Sequence, residues 1–106
     1  MAHTIIHDDN FSTEVEASKG LVILDFFATW CGPCKMLAPV LEELSEDYPS
    51  VKICKTDVDE APGLAQKFGI QSIPTVVFFK DGKAVGHFVG YRDKEQIIPM
   101  VEQHLS

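Results

Sequence analysis

The segment Leu21-Val22-Ile23-Leu24-Asp25-Phe26-Phe27-Ala28 is the strongest constraint on how this chain folds. It is a nearly unbroken apolar run of strand length, rich in β-branched and aromatic residues, and Lys19-Gly20 closes it off on the N-terminal side. A strand with one wet face alternates apolar and polar residues. A continuous run has no wet face, which is the pattern of a strand in a parallel sheet covered on both sides by helices.

The rest of the chain supplies the covering helices and the other strands. From Pro33 to about Glu46, the residues Met36, Leu37, Val40, Leu41 and Leu44 recur at helical spacing. Pro39 lies inside that helix and predicts a kink, because it removes a backbone donor. Val51 to Val58 alternates like a strand, and Asp59 with Ala61-Pro62 opens a short helix ending at Phe68-Gly69. Thr75 to Phe79 is a third apolar strand. Asp81-Gly82 is a hairpin turn signal, so Lys83 to Val89 is expected to return antiparallel. Asp93 caps a last helix with Gln96 three residues on, and Pro99 either delays or bends it. Ahead of the first run, Asn10 or Ser12 is expected to cap a short helix through about Ala17. The expectation is an α/β fold: one domain over residues 1–106, with a mixed central sheet and helices on both faces.

Composition narrows the function classes. The chain has 106 residues, 45% of them hydrophobic and 24% charged, which suits a single globular domain. Its formal charge of −7 argues against nucleic acid or an anionic membrane as the main partner. No apolar run approaches the roughly 20 residues of a membrane span. The N-terminus lacks the basic and apolar regions of a secretory signal. The expected location is the cytosol, or else the chain is a mature form from which a leader was removed. Three cysteines, an odd and small number, do not make a structural disulfide framework.

Cys31 and Cys34, separated by Gly32-Pro33, carry the chemistry. At i and i+3 around a helix start, their Cβ atoms lie about 5–6 Å apart, so little adjustment brings the sulfurs together. The ring that closes is small, which makes the bond easy to reduce. Free N–H groups and the helix dipole at that end favour thiolate over thiol, and Pro33 suits the first turn. Cys31, ahead of the helix proper, is expected to be the exposed nucleophile, and Cys34, one turn in, the more buried resolving thiol. C-x-x-C is also half of a zinc site, but no second pair stands at zinc spacing, so no metal is expected. Asp25 is either a buried carboxyl with a raised pKa or a residue at a sheet edge reaching water. Trp30 by itself reads as core. Cys54 reads as a small buried hydrophobe, and His3, His7, His87 and His104 as surface residues.

Trp30-Cys31-Gly32-Pro33-Cys34-Lys35 after an apolar strand resembles the thioredoxin family. The likeness extends over nearly the whole chain, through Asp25-Phe26, Pro39, Asp57, Ile73-Pro74-Thr75, Lys80-Asp81-Gly82 and Val89-Gly90. It implies a thioredoxin fold and a protein-disulfide reductase with Cys31 as nucleophile, Cys34 as resolving thiol, and Gly32 and Pro33 tuning the redox pair. It further implies that Asp25 is a buried acid/base taking the Cys34 proton, with Lys55 beside it. The Ile73-Pro74 bond is then cis, and Trp30, Gly32, Ile73, Pro74, Gly90 and Tyr91 form a flat docking surface. The cofactor is the Cys31–Cys34 disulfide itself. The implied partners are an NADPH-dependent flavoprotein thioredoxin reductase and disulfide-containing proteins, acting on a monomer. A redox-independent binding subunit is the alternative use of such a fold. Phe27 departs from the family, many members of which have a second Trp at that place. Cys54 has no counterpart in the bacterial pattern.

Overall fold

In the computed structural model, which describes residues 3–105, the apolar run forms strand β2 (Leu21–Phe27) at the centre of a five-stranded sheet. The other strands are β1 (Thr4–Ile5), β3 (Lys52–Asp57), β4 (Thr75–Lys80) and β5 (Lys83–Val89), in the spatial order β1-β3-β2-β4-β5. β3 runs parallel to both β1 and β2, while β4 is antiparallel to β2 and to β5. The helices are α1 (Gly32–Asp47), α2 (Pro62–Lys67) and α3 (Lys94–Gln103).

Successive residues of β2 feed opposite faces, so one strand supplies two cores. Leu21 and Ile23 pack with Leu37, Leu41 and Leu44 of α1 and with Ile97 and Val101 of α3. Val22, Leu24 and Phe26 pack on the other face with Phe11, Val15 and Leu64. The side chain of Asp8 caps α2, accepting from the Gly63 and Leu64 N–H groups at 3.2 and 2.9 Å. Lys80 Nζ donates to the His104 carbonyl at 2.9 Å, just beyond the C-terminal end of α3. A cation there complements the helix dipole.

Three local expectations change. The segment before β2 is a single wide turn of π type over Ser12–Glu16, and Asn10 does not cap it. Asn10 Oδ1 accepts from the His7 N–H and Nδ2 donates to the Ile5 carbonyl, so its amide is used in the preceding turn. Phe11 and Val15 nevertheless face the same core, which is what the segment is packed to do. α1 begins one residue earlier than expected, at Gly32, and contains Pro39 at an exposed position. α3 is not delayed by Pro99. It starts at Lys94 because Asp93 and Gln96 form both halves of a capping box, at 3.0 and 3.1 Å.

The β4–β5 turn follows its sequence. Asp81 and Gly82 take φ of 50° and 86°, the pair of positive values a type I′ turn needs. Gly82 also sits against the Glu16 backbone, so a Cβ there would collide with the Glu16 carbonyl. Gly82→Ala therefore combines left-handed strain with overpacking and costs about 2–4 kcal/mol. Urea unfolding reads this as a lower midpoint with an unchanged slope.

Candidate active site

Cys31 is the N-cap of α1, with an extended backbone at φ −94° and ψ 115°. That conformation turns its Sγ back over the first turn, where it accepts the Cys34 N–H at 3.2 Å. The two cysteines are joined as a disulfide, with Cα atoms 5.3 Å apart. Pro33 stands in the first turn, where its missing N–H leaves no bond unmade.

The expected contrast between an exposed Cys31 and a buried Cys34 is absent from this oxidised form. Their exposures are 5% and 4%. The Cys31 N–H bonds back to the Ala28 carbonyl at 3.2 Å, which folds the residue onto Ala28. Phe27, Val58 and Ile73 then close around the pair. The carbonyl oxygen of Ile73 lies 3.8 Å from Cys31 Sγ.

The Ile73-Pro74 bond is cis. Pro74 is buried, and its carbonyl accepts the Gly90 N–H at 2.8 Å, tying the two loops together. Gly90 takes φ +87°, which favours glycine, and open space lies where a Cβ would stand. Gly32, Pro33 and Tyr91 are exposed. Trp30 is not core: 69% of it faces solvent. Its Nε1–H donates to Asp59 Oδ2 at 2.9 Å, which holds the ring beside the disulfide.

Asp25 is on the central strand, fully buried, opposite Lys55 on β3 and Val76 on β4. The edge reading is thereby removed. It shares the sheet face of Ile23, the face that packs on α1. Among the described residues neither carboxyl oxygen has a hydrogen-bond partner. Burial raises its pKa to about 7, and the positive Lys55 offsets only part of that rise. Lys55 is half-buried, with Nζ 5.0 Å from the centre of the Phe27 ring. It lines a cleft of about 270 Å³ together with Phe27, Ala28, Cys34, Lys35 and Ala38. That cleft runs from solvent past Lys55 to the back of the inner cysteine, which itself stays buried.

Cys54 is fully buried on the opposite face of the sheet, among Leu24, Phe26 and Leu64. Desolvation pushes its thiol up to about 11, so it is inert at neutral pH. Of the four histidines, two depart from the surface expectation: His104 is half-buried with its ring 6.4 Å from that of Phe78, and His3 is half-buried too. Its side chain is 12% exposed, with Nε2 3.6 Å from Glu42 Oε1, and burial lowers its pKa. Asp59 joins the site only through the folded chain. Its only sequence signal is its place in the acidic turn Asp57-Val58-Asp59-Glu60, and nothing in that turn points to Trp30, 29 positions away.

Comparison with known proteins gives a consistent result. The thioredoxin family model matches residues 2–103. The thioredoxin of Staphylococcus saprophyticus is 50% identical over 106 residues, covering 99% of this chain and all of the relative. The thioredoxin of Chlamydia muridarum is 49% identical over 100 residues, covering 94% of this chain and 96% of the relative.

Proposed function

The chain belongs to the thioredoxin family and is a protein dithiol–disulfide oxidoreductase working through its own cysteine pair; from that premise we propose that it is a cytosolic reductant in which Cys31 attacks and Cys34 resolves. The observation that carries this order is the N-cap position of Cys31. Its sulfur accepts a backbone N–H at the positive end of α1, and the same contact favours a thiolate once the disulfide is reduced.

The exchange runs in two displacements. In the first, the Cys31 thiolate bonds to one sulfur of the substrate disulfide, and the other sulfur leaves as a thiolate that takes up a proton. Cys34 then gives its proton to the Asp25 carboxylate. The Cys34 thiolate attacks Cys31 Sγ, the intermolecular bond breaks, and the substrate leaves as a dithiol. Two electrons have passed to the substrate, and Cys31 and Cys34 are again a disulfide. With a pKa of about 7, Asp25 accepts that proton near neutral pH and returns it to solvent. Lys55, the partner of Asp25 on β3, favours the carboxylate and keeps its pKa from rising further. Gly32 and Pro33 fix the geometry of the pair. Trp30, Ile73, Gly90 and Tyr91 form the surface on which the substrate chain lies, with the buried Pro74 setting the Ile73 loop beneath it and Gly90 letting the substrate backbone approach closely. No separate cofactor enters the cycle. A flavoprotein reductase drawing on NADPH re-reduces the pair.

The test is insulin reduction driven by dithiothreitol, followed as turbidity, together with NADPH consumption when a bacterial thioredoxin reductase replaces dithiothreitol. The expected result is catalysis in both assays at micromolar protein. Absence of both would leave the fold serving as a redox-silent binding subunit.

A further inference from the structure

The sheet face opposite α1 and α3 is only partly covered. The Ser12–Glu16 turn and α2 close it over its middle, where Phe11, Val15 and Leu64 pack. At the β4–β5 end there is instead an open groove of about 380 Å³, lined by Phe68, Ile70, Val77, Ala84, Val85 and His87 among others. A second hollow of about 220 Å³ shares Phe68, Ile70, Thr75 and His87 with the first, and adds Ser72 and Val89. Four shared lining residues make the two a single channel. Its far end lies at Ser72 and Val89, the chain neighbours of Ile73 and Gly90.

Three features suit this channel to an extended polypeptide. Val85 and Val89 present apolar surface at 41% and 50% exposure. β5 is an edge strand, whose outer backbone groups make no ladder within the sheet. The channel is also continuous with the place where substrate has to be. With the Ile73 carbonyl 3.8 Å from Cys31 Sγ, a protein disulfide reaching that sulfur lays its chain over Ile73 and Gly90.

We propose that the channel receives the substrate polypeptide flanking its disulfide, seating an apolar side chain about four residues from the attacked cysteine. The spacing follows from β5: Val85 is four residues from Val89 and is the extra residue of a bulge between Gly86 and Ala84, so the span is about three to four strand steps, about 10–13 Å at about 3.3 Å per residue. This rests on the reductase reading above and adds to it a substrate preference read away from the sulfur. The charge of −7 selects among occupants. A second copy of the chain brings an equal negative charge and is repelled, whereas a neutral or basic substrate segment is not.

The experiment uses synthetic peptides with an internal disulfide and no net negative charge. One set carries Leu four residues before or after the disulfide, and the control has Gly in that place. The reduced protein is expected to prefer one Leu peptide over its Gly control by about tenfold in kcat/KM, through KM, the worth of partly burying one side chain. Val85→Asp removes that preference while leaving a small aromatic disulfide, which does not reach the channel, reduced at the unaltered rate, which also shows the variant is folded. Equal rates for Leu and Gly peptides, or a preference that survives Val85→Asp, overturns the proposal. So does self-association in sedimentation that Val85→Asp abolishes, which assigns the channel to a second copy. If the unmodified protein reduces neither peptide nor the small disulfide, the reductase reading itself fails and the proposal falls with it.

Discussion

Cys31→Ser is expected to bring insulin reduction down to the uncatalysed rate, the largest effect of any single substitution in this chain. A serine hydroxyl does not ionise near neutral pH, so the attacking anion is gone, and nothing else in the site replaces it. Two thiols remain: Cys34, one turn into α1 and buried, and Cys54, which is fully buried on the far side of the sheet with its pKa pushed up to about 11. Cys34→Ser behaves differently. The first displacement still takes place, the second does not, and the protein accumulates in covalent linkage with its substrate. Mass spectrometry under non-reducing conditions then shows the adduct on Cys31 for Cys34→Ser and none for Cys31→Ser. Adducts on Cys34 in the Cys31→Ser protein, or retained turnover, would reverse the assignment of the two thiols.

The features legible in the sequence were those decided within a few neighbouring residues or by burial pattern. The run Leu21–Ala28 announced a central strand because a chain with no wet face has nowhere else to go. Asp81-Gly82 announced its turn because few other residues accept two positive φ values in succession. Asp93 and Gln96 announced a helix start because the capping box closes over three residues. The sequence was less informative where side chains from distant segments meet. That Asp59 would hold Trp30, and that His3 would tuck against Glu42 of α1, depend on how loops settle on the sheet. The burial of Cys31 is of the same kind. Periodicity placed it before the helix, but the chain turning back to Ala28 and the packing of Ile73 remove it from solvent. Asp25 lies between these cases. Its strand was plain, yet the same letters fit an edge position, and only the pairing of β2 with both β3 and β4 makes it fully interior.

That interior carboxyl carries the second large prediction. Asp25 has a pKa raised from 3.8 to about 7 in the folded protein, chiefly by burial. Below pH 4 both folded and unfolded forms hold the proton, and the residue contributes no pH dependence. Between about pH 4 and 7 the unfolded chain releases the proton while the folded one keeps it, so stability falls as pH rises. Above about pH 7 both forms are ionised and the loss levels off. A rise of about three pH units corresponds to about 4 kcal/mol. Asp25→Asn keeps the shape and removes the titration. The variant is therefore expected to match the parent near pH 3, to gain on it from pH 4 to 7, and to hold a constant lead above that. Urea unfolding of the oxidised proteins at several pH values measures the difference. A lead that does not change with pH means Asp25 is not titrating in this range. The same substitution removes the acceptor for the Cys34 proton, so resolution of the mixed disulfide at pH 7 slows by about ten- to a hundredfold, at the low end of general-base effects because water in the cleft behind Cys34 takes over part of the role. Stopped-flow exchange separates the two consequences. Greater stability with an unchanged exchange rate would make Asp25 a buried charge without a part in the reaction, while the paired result, a more stable and slower protein, identifies a residue whose cost to the fold is the source of its use to the chemistry.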